Sequence, residues 1–482
     1  MKMRPLAKGL DRRKEQRHVS RAMSGALGST PLKHIFPLFV AVLGLLGCSA
    51  TKAPTRPAPV AAAPIFTPPP GVLTPRAESG PRVMLGIDVL EANGFAAVKG
   101  KRIGLLTHPA GVNRLGVSTI EVLRHAREVK LVALYAAEHG IYGDAPAEKN
   151  IGHTTDRRTG LPVYSVYGAT RKPTKAMLKG IDALVIDLQD IGTRSYTFVS
   201  AMKRAMEGCF EHGVEVIVLD RPNPLGGLKA DGPLLDAPLA KNNYVGAFRV
   251  PYVHGLTMGE LARMAKEAPS LDMPEAARIR GKLTVIPMRG WTRAMRWPET
   301  GLRWVPPSGA IQDFAAAQGY AMVGLGTYNH APSKFDTLFR SGIGSAYIFR
   351  GLSHKTARLD VLEKELRTLR VPGIQYRRVS SLDKDGKPAV GIYVEIVDYD
   401  EWRPAELNFH LMKLACKLDP GNPFAPVRGR DFSGFLRHMG SAAFLNDLAT
   451  KGARIDLDAW IRTWREQVRI YQEQSKRYWL YR

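Results

Sequence analysis

Residues 183–194 read Ala183-Leu-Val-Ile-Asp187-Leu-Gln189-Asp190-Ile-Gly192-Thr-Arg194, a short apolar run that ends abruptly in ionisable side chains. Runs of Leu, Ile and Val with little alternation are typical of strands that are covered on both faces, as in parallel sheets. Helical patterns separate this run from three similar ones, so the sequence predicts repeated βα units. The strand runs cover residues 102–107, 130–135, 183–187 and 214–219, and the helical patterns cover residues 118–127, 175–180 and 196–212.

The polar residues that follow these strands are expected to meet in one cleft. In open α/β sheets, ligands bind in the crevice outside the carboxyl ends of the strands. Residues that are far apart along the chain come together there, because neighbouring parallel strands end at the same edge. The candidate site residues are Glu138, His139, Asp187, Gln189, Asp190, Arg194, Tyr196, Asp220, Arg221, Asn223 and His254.

Glu138 is the first candidate for chemistry, as part of Glu138-His139-Gly140 at the end of a predicted buried strand. A carboxyl group in a poorly solvated cleft has a raised pKa and can act as a general acid. Gly140 would allow close approach of the backbone. The alternative is a structural Glu138, which caps the next helix or pairs with Arg157 or Arg194.

Two arginines at strand ends are candidates for binding an anionic group of a ligand. Arg194 precedes a predicted helix, where its guanidinium could hold a carboxylate bidentately. The alternative for Arg194 is a structural ion pair with a neighbouring aspartate. Arg221 lies between Asp220 and Pro222 in a loop that prolines stiffen. His254 is either a cleft residue or an ordinary packed histidine.

The amino-terminal segment predicts a lipid-anchored protein of the cell envelope. The uncharged run 35–47 is too short to span a bilayer but fits the apolar region of a signal peptide. It ends in Leu45-Leu46-Gly47-Cys48, which resembles the lipobox of bacterial lipoproteins, where the cysteine is diacylated. Residues 1–48 are therefore a predicted lipoprotein signal with its cysteine, and the Ala- and Pro-rich residues 49–81 are a predicted tether. Ser49 favours the outer membrane, with the protein facing the periplasm.

The chain is basic, with 69 Lys and Arg against 44 Asp and Glu. Residues 1–34 hold nine basic and two acidic side chains, so a net charge of about +18 remains after removal of the signal. Outside the membrane this charge favours anionic cell-wall polymers and lipid head groups, and a solvated basic surface explains it equally well. A nucleic-acid partner is not predicted, because the sequence has no binding motif and no aromatic platform.

The sequence predicts neither a cofactor nor a metal site. Thr107-His-Pro-Ala-Gly-Val-Asn113 closes the first strand without the dinucleotide fingerprint or the Walker spacing. The sequence also has no CxxC, no HExxH and no spaced set of Cys and His. Besides Cys48, the chain contains Cys209 and Cys416 in helical patterns. We predict that these two are buried free thiols, and the alternative is one disulfide between them.

We predict an α/β protein with two domains after the tether, because about 400 residues exceed what one core usually serves. A Rossmann-like domain with a parallel sheet is expected over residues 82–305, and a smaller accessory α+β domain over residues 306–482. The second domain contains a helical pattern, a strand pair and a carboxyl-terminal aromatic stripe that is predicted to pack rather than to bind a ligand. These cover residues 355–369, 374–379 with 390–397, and 457–482.

Several distinctive motifs follow one another in a fixed order: Gly86-Ile-Asp88-Val-Leu, Ala137-Glu138-His139-Gly140, Gly160-Leu-Pro-Val-Tyr164, Asp187-Leu-Gln189-Asp190-Ile-Gly192-Thr-Arg194-Ser-Tyr196-Thr, Leu219-Asp220-Arg221-Pro-Asn223-Pro-Leu-Gly-Gly227, Gly232-Pro-Leu-Leu, His254-Gly255-Leu-Thr-Met-Gly-Glu-Leu-Ala and Trp304-Val-Pro-Pro-Ser308. This order resembles the YbbC/NamZ family of exo-acting β-N-acetylmuramidases. The resemblance implies a Rossmann-like domain, an accessory domain and a cleft between them. It also implies removal of N-acetylmuramic acid (MurNAc) from the non-reducing ends of peptidoglycan fragments, with Glu138 as the leading candidate for the catalytic acid.

The sequence departs from the family pattern after Ser308. Gly324 stands at the position where family members usually have a glutamate. An exo-acting glycoside hydrolase is therefore the first hypothesis. A lipoprotein of the same fold that binds peptidoglycan without cleaving it is the second, and a Rossmann-type enzyme for another small ligand is the third.

For the hydrolase, the predicted catalytic residues are Glu138, Asp190 and His139. Glycoside hydrolysis usually needs a second carboxylate, for which Asp187 and Asp220 are alternatives to Asp190. Specificity for MurNAc must come from its lactyl carboxylate, a group that N-acetylglucosamine (GlcNAc) lacks. Between the two arginines at strand ends, Arg194 is the expected partner of that carboxylate. The expected partners of the protein are a peptidoglycan-derived glycan and, through the lipid anchor, a membrane.

Overall fold

The structure is a computed structural model that describes residues 83–144, 152–268, 270–419 and 421–482. The predicted signal, its Cys48 and the tether lie outside these ranges. Within the ranges, no helix is both long enough and apolar enough to cross a membrane.

A large, mostly parallel sheet with helices on both faces forms the amino-terminal domain. Its strands and helices are β1 (Arg102–Thr107), β2 (Lys130–Ala136), β3 (Thr154–Thr155), β4 (Pro162–Ser165), β5 (Ala183–Asp187), β6 (Glu215–Leu219), β7 (Asp231–Leu234), β8 (Pro251–Val253), β9 (Leu283–Ile286), α1 (Gly86–Ala92), α2 (Thr119–His125), α3 (Phe198–Glu211), α4 (Met258–Glu267) and α5 (Glu275–Arg280). The described strands of the large sheet lie in the order β3, β4, β2, β1, β5, β6, β9. The β3–β4 pair is antiparallel and the other neighbours are parallel, while β7 and β8 form a separate antiparallel pair.

The apolar runs are unbroken because both faces of this sheet are covered. In β5, Leu184 and Ile186 belong to one core, together with Met202 of α3. The alternate residues Ala183 and Val185 belong to the other core, which α1 and α2 cover. Side chains of a strand alternate between the two faces, so two cores require an apolar residue at successive positions. Each residue of β5 is buried as a result.

The carboxyl-terminal domain combines an antiparallel sheet with a group of helices. Its strands and helices are β10 (Asn329–His330), β11 (Phe335–Asp336), β12 (Phe339–Ser341), β13 (Gly351–His354), β14 (Ile374–Leu382), β15 (Pro388–Ile396), α6 (Phe314–Val323), α7 (Leu359–Thr368), α8 (Glu406–Leu418), α9 (Ser433–Met439), α10 (Ala442–Lys451) and α11 (Leu457–Ser475). The larger sheet has the order β12, β13, β15, β14, and β10 pairs with β11. The two-domain α/β fold class is therefore confirmed, with a parallel-dominated sheet first and an α+β domain second.

Three predicted features of the carboxyl-terminal domain are present. The strand pair is β14 and β15, and Gly386 in the turn between them has φ 76°. The predicted helix over 355–369 begins at Leu359, as α7. The aromatic stripe forms α11 and the tail after it, and its residues Trp464 and Tyr471 are buried. The stripe therefore packs into the protein, as predicted.

The prediction of a helix over residues 175–180 is wrong. Only irregular hydrogen-bonded turns form after Thr174, and Gly180 adopts φ 78°. The first turn of a helix fixes several residues for one hydrogen bond, so a turn this short is not extended without further support. Tertiary contacts hold the segment instead, since the Tyr135 hydroxyl donates to the Met177 carbonyl at 2.6 Å.

Both described cysteines are buried and free. This confirms the prediction of free thiols for Cys209 and Cys416. Burial raises the pKa of each thiol, to about 12 for Cys416. Both side chains are therefore protonated at neutral pH and pack as small apolar groups.

Candidate active site

The carboxyl edge of the large sheet gathers the polar residues that follow the apolar runs. β1 leads into His108, β2 into Glu138 and β6 into Asp220, and β5 ends at Asp187. All four side chains are buried. The strand ends therefore bring Glu138, Asp187 and Asp220 to one edge of the sheet, and the hydrogen bonds of these and the other predicted residues differ.

The Glu138 carboxyl group is held by two hydroxyl groups. Tyr167 donates to Oε1 at 2.9 Å, and Thr197 donates to Oε2 at 2.6 Å. Tyr167 follows β4 and Thr197 immediately precedes α3, so the carboxyl group lies where a strand end meets the start of a helix. Glu138 is 8% exposed. A carboxyl group fixed in this way is suited to proton transfer at one defined position.

His139 has a left-handed backbone conformation, with φ 70°, and Gly140 follows with φ 80°. This conformation costs a residue with a side chain about 1 to 3 kcal/mol and occurs mainly where the surroundings enforce it. It turns the chain sharply after β2. The charge of His139 also acts on His108, so the two imidazoles lie near each other.

His108 is a buried imidazole that the sequence analysis did not select. Its Nε2 accepts a hydrogen bond from the Gln189 amide at 2.8 Å, so the proton of the neutral ring is on Nδ1. Burial, followed by the positive charges of Arg221 and His139, holds the pKa of His108 well below its ordinary value. The ring meets Phe198 edge-on, with centroids 4.4 Å apart. His108 is therefore neutral and positions the end of β5.

Asp190 and His254 form a buried hydrogen-bonded pair. Asp190 Oδ2 accepts from the Gly192 amide at 2.7 Å and from His254 Nε2 at 3.0 Å. The Leu256 amide donates to His254 Nδ1 at 3.2 Å, so the neutral ring carries its proton on Nε2. Asp190 Oδ1 is buried and has no hydrogen-bond partner in the described part of the chain. An unpaired buried carboxylate oxygen is costly, and a bound ligand could supply its missing donor.

Asp187 and Arg221 neutralise each other. Arg221 Nε and Nη2 donate to the two Asp187 oxygens at 2.5 and 2.9 Å, and Arg221 also donates to the Val112 carbonyl at 2.5 Å. The Thr119 hydroxyl donates to the same carboxylate. Both charged side chains are at most 2% exposed. Because this bidentate pair is satisfied internally, the predicted role of Asp187 and Arg221 in substrate binding does not fit the geometry.

Gln189 and Asn223 connect the loops that follow β5 and β6. Gln189 Nε2 donates to the Pro222 carbonyl at 2.9 Å, and Asn223 Nδ2 donates to the Leu256 carbonyl at 3.1 Å. Asn223 is thereby committed to the backbone. Gln189 Oε1 is buried without a partner in the described residues, so this oxygen can still accept a hydrogen bond from a ligand.

Asp220 holds the start of α4 against the end of β6. It accepts hydrogen bonds from the Thr257 hydroxyl at 2.8 Å, the Gly259 amide at 2.7 Å and the Tyr481 hydroxyl at 2.6 Å. Burial nevertheless raises the pKa of Asp220 to about 6, against the opposing effect of these bonds. The hydrogen bonds account for the whole side chain, so the candidate role of Asp220 as second catalytic carboxylate does not fit this geometry.

We expect Asp220 to make the free energy of unfolding depend on pH. Its folded-state pKa of about 6 lies above the ordinary 3.8, so the folded state binds the proton more tightly than the unfolded state does. The resulting stabilisation is complete below about pH 4 and is lost as the pH rises through 6, a change of about 3 kcal/mol. Denaturant unfolding of wild type and Asp220→Asn from pH 4 to 7.5 measures it, with the exposed Asp458→Asn as control. A difference between wild type and Asp220→Asn that stays constant with pH would contradict the raised pKa.

Arg194 does not fit its predicted role as receptor for a substrate carboxylate. Its Nη1 donates to the carbonyls of Pro233 and Val250 at 2.9 and 2.7 Å. Its Nη2 donates to the carbonyls of His438 and Met439 at 3.2 and 2.9 Å. The terminal N–H groups are thus used by the protein backbone, and two of their acceptors belong to the carboxyl-terminal domain.

Gly440 makes room for this guanidinium. A Cβ at position 440 would overlap Arg194 Nη2, and the φ of 94° also favours glycine. Burial lowers the pKa of Arg194 to about 10, so the side chain is still charged at neutral pH. Arg194 therefore joins the two domains beside the cleft.

Tyr196 and Tyr320 border both carboxyl groups of the site. Burial raises the pKa of Tyr196 well above its ordinary value and that of Tyr320 to about 12, and the negative charges of Glu138 and Asp190 add to both shifts. The two rings meet edge-on with centroids 5.9 Å apart, and Tyr196 donates to the Ser308 hydroxyl at 2.9 Å. Each tyrosine is therefore within electrostatic reach of both Glu138 and Asp190. Tyr320 lies in α6, so the carboxyl-terminal domain forms part of the wall.

Gly324, where the sequence departs from the family pattern, lies at the carboxyl end of α6. A Cβ at this position would be 3.7 Å from the Tyr252 hydroxyl. The Ser195 hydroxyl donates to that oxygen at 3.3 Å and is 3.2 Å from the Tyr320 hydroxyl. A Cβ at position 324 would also be 2.6 Å from the Tyr320 carbonyl oxygen, so a side chain there requires a shift of the backbone before it can reach these hydroxyl groups.

Sequence reasoning missed the side chains that hold Glu138 and that close the cleft: Tyr167, Thr197, His108 and Tyr320. Tyr167 had a signal, because it follows Pro162–Ser165, a short strand whose first residue is proline, a position that proline tolerates. Tyr320 had none, since its helix reaches the cleft only through the packing of the two domains. In the described ranges, no group of three or more His, Cys, Asp or Glu is placed to hold a metal ion.

Comparison with known proteins identifies similar chains over both domains. The family model described as exo-β-N-acetylmuramidase NamZ, N-terminal, matches residues 103–315, and its C-terminal counterpart matches residues 335–481. The peptidoglycan β-N-acetylmuramidase NamZ of Bacillus subtilis (strain 168) is 36% identical over 344 residues. That alignment covers 70% of this chain and 79% of the relative.

Two crystal structures of DUF1343 family proteins from Bacteroides fragilis NCTC 9343 have the same fold. One is 35% identical with a TM-score of 0.72, and the other is 25% identical with a TM-score of 0.62. Each comparison covers 83% of this chain and 99% of the other chain. The similarity thus extends over both domains of the fold.

Proposed function

We infer that this chain, which belongs to the NamZ family of exo-β-N-acetylmuramidases, removes MurNAc from the non-reducing ends of peptidoglycan fragments. It is a glycoside hydrolase of the exo-β-N-acetylmuramidase type, since it is 36% identical to a peptidoglycan β-N-acetylmuramidase over most of its length. The observation that supports the site of the reaction is the position of Glu138. Its buried carboxyl group is fixed by Tyr167 and Thr197 at the carboxyl edge of the sheet.

In this proposal Glu138 is the general acid. It gives its proton to the glycosidic oxygen while the bond from that oxygen to the anomeric carbon breaks. The hydroxyl group of a water molecule ends on the anomeric carbon, and the other proton of that water restores the protonation of the carboxyl pair. The hydroxyl groups of Tyr167 and Thr197 hold the carboxyl group in one orientation. His139 forms the strained turn after it and so sets where Glu138 points.

Asp190 is the second carboxylate of the proposed mechanism. The His254 Nε2 proton and the Gly192 amide fix Oδ2, and Oδ1 has no partner in the described residues. A carboxylate with one anchored oxygen and one open oxygen is suited to facing the positive charge that develops at the anomeric carbon. The charges of Asp190 and Glu138 both raise the pKa of Tyr196 and of Tyr320, which supports the proposal that the two carboxyl groups share a cleft.

Two disaccharides test the direction of cleavage. The full chain is incubated with MurNAc-β-1,4-GlcNAc and with GlcNAc-β-1,4-MurNAc, and the products are identified by mass spectrometry. The proposal expects free MurNAc and GlcNAc from the first substrate and no cleavage of the second. Cleavage of both, or of the second alone, would contradict removal of MurNAc from the non-reducing end. Binding of the first without any cleavage would instead support a glycan-binding protein.

The proposed location is the cell envelope, with the protein attached to the outer membrane through lipid on Cys48 and facing the periplasm. The support is the apolar run that ends in Leu45-Leu46-Gly47-Cys48, followed by a tether composition. A peptidoglycan substrate suits that location.

Replacing Cys48 with Ala is expected to release the protein from the membrane fraction. Stable attachment needs more than one acyl chain, and the processed cysteine would carry them. Fractionation of cells after a high-salt wash, followed by immunoblotting, measures the distribution. Ser49→Ala, one residue away, should remain with the membranes. A Cys48→Ala protein that still sediments with them would count against lipidation as the anchor.

A further inference from the structure

Arg171 presents an exposed guanidinium over two tyrosine rings. Its Cζ is 4.4 Å from the ring centroid of Tyr244 and 5.5 Å from that of Tyr167. Among the described residues, no carboxylate lies within ion-pair distance of Arg171, and its side chain makes no hydrogen bond. Contact with aromatic faces can position a guanidinium while its N–H groups stay available to a ligand.

The same two tyrosines connect Arg171 with Glu138. The Tyr167 hydroxyl donates to Glu138 Oε1 at 2.9 Å, so one phenol ring separates the guanidinium from the Glu138 carboxyl group. Burial raises the pKa of Tyr244, and the charges of Glu138 and Arg171 act on it in opposite directions, so Tyr244 lies near both side chains. The Arg171 guanidinium and the Glu138 carboxyl group therefore contact the same tyrosine, which places both within reach of one small ligand.

Tyr244 supplies an independent sign that a ligand belongs here. Its ring is 7% exposed, and its hydroxyl is buried without a hydrogen-bond partner in the described part of the chain. A buried hydroxyl that lacks a partner costs free energy, which a polar group of a bound ligand would recover. Solvation alone would account for an exposed arginine, but it leaves this hydroxyl unexplained.

The other arginines considered for the cleft are already paired. Arg194 donates to backbone carbonyls, and Arg221 forms its bidentate pair with Asp187. We propose that Arg171 binds the lactyl carboxylate of MurNAc and that Tyr244 donates a hydrogen bond to the same group. The proposal rests on the proposed function, and it names the residues that distinguish MurNAc from GlcNAc.

The chemistry of the substrate fits this placement. In MurNAc the glycosidic bond is at C1 and the lactyl ether is at C3 of the same ring, so Glu138 and Arg171 would contact two different substituents of one sugar. A guanidinium holds a carboxylate through two parallel hydrogen bonds, which Lys cannot reproduce. GlcNAc has a hydroxyl at C3 and would leave Arg171 without a partner.

The test measures dissociation constants by calorimetry for three sugars: MurNAc, its lactyl methyl ester and GlcNAc. The full chain is compared with Arg171→Met, Arg171→Lys, Tyr244→Phe and the control Arg158→Met. Arg158 is also exposed and stacks on a tyrosine, Tyr142, at 4.1 Å, a different ring from those under Arg171. Arg171→Met should weaken MurNAc binding at least about tenfold and Arg171→Lys less, because hydrogen bonds to a charged group are being removed.

The methyl ester and GlcNAc lack the charged lactyl carboxylate, so they show whether Arg171 recognises that group or supports sugar binding in general. For wild type and Arg171→Met, the affinities for these two neutral sugars should agree within about threefold, and Arg158→Met should bind all three sugars like wild type. Equal losses for MurNAc and its ester in Arg171→Met, or no loss for either, would overturn the proposal. If Arg171→Met weakens MurNAc binding selectively but wild type does not cleave MurNAc-GlcNAc, the proposed hydrolysis is refuted and the role of Arg171 in binding the lactyl carboxylate stands. Wild type that binds none of the sugars would refute both.

Discussion

Glu138→Gln is expected to lower the rate of MurNAc release from MurNAc-β-1,4-GlcNAc by about 10²- to 10⁴-fold. Gln has the shape of Glu but no acidic proton, so it cannot protonate the leaving oxygen. The hydroxyl groups of Tyr167 and Thr197 can rotate to bond the amide, which keeps the side chain in place. Binding of MurNAc should therefore stay within about tenfold of wild type. Initial rates and calorimetric titration measure the two quantities.

The control for this substitution is Glu128→Gln. Glu128 is exposed and pairs with Lys99 at the surface, so its loss should leave the rate unchanged. Full turnover by Glu138→Gln would move the acid role to another residue. A loss of MurNAc binding in parallel with the rate would mean that Glu138 holds the substrate or the fold rather than the proton.

Arg194→Met is expected to lower the free energy of unfolding by at least about 4 kcal/mol. Four backbone carbonyls, those of Pro233, Val250, His438 and Met439, would lose their donor. Each buried acceptor left unpaired costs about 1 to 3 kcal/mol. Denaturant unfolding followed by circular dichroism measures the loss.

Arg367→Met is the matched control for that experiment. Arg367 pairs with Glu363 on the exposed face of α7, where a salt bridge contributes about 0 to 1 kcal/mol. Similar stability losses for Arg194→Met and Arg367→Met would contradict the structural role of Arg194. A selective loss of MurNAc affinity in a stable Arg194→Met protein would restore the role that the sequence suggested.

The repeated βα pattern predicted the main sheet because the strand runs carry their own physical signal. Residues 183–186 are apolar at successive positions, a composition typical of a strand between two cores. The same pattern placed Glu138 and Asp190 near the carboxyl edge, since the edge is a property of parallel strands. The short, proline-initiated strand β4 gave a weaker signal, and Tyr167 was missed with it.

The roles of the arginines could not be predicted from local sequence. Arg194, Arg221 and Arg171 are the same residue type, and each lies near a strand or in a loop. Their surroundings differ: backbone carbonyls surround the guanidinium of Arg194, an aspartate pairs with Arg221, and aromatic rings lie beside Arg171. For Arg194 two of the partners are more than 240 residues away along the chain. Such contacts arise from domain packing, which no local pattern contains.

The role of Gly440 also could not be predicted from local sequence. It is an ordinary helix-ending glycine in the sequence, with φ 94° after α9. Only the structure shows that a side chain there would overlap Arg194. The interface between the domains thus depends on a pair of residues that neither hydrophobic periodicity nor motif order connects.

If Glu138 protonates the leaving oxygen, the loss of rate caused by Glu138→Gln must depend on how readily the leaving group departs. GlcNAc is a poor leaving group that needs the proton, whereas 2,4-dinitrophenolate departs without it. The measurement compares the rates of wild type and Glu138→Gln on MurNAc-β-1,4-GlcNAc and on 2,4-dinitrophenyl β-MurNAc. We predict a loss of about 10²-fold or more on the disaccharide and a loss below about tenfold on the dinitrophenyl glycoside. Equal losses on the two substrates would contradict the assignment of Glu138 as the general acid.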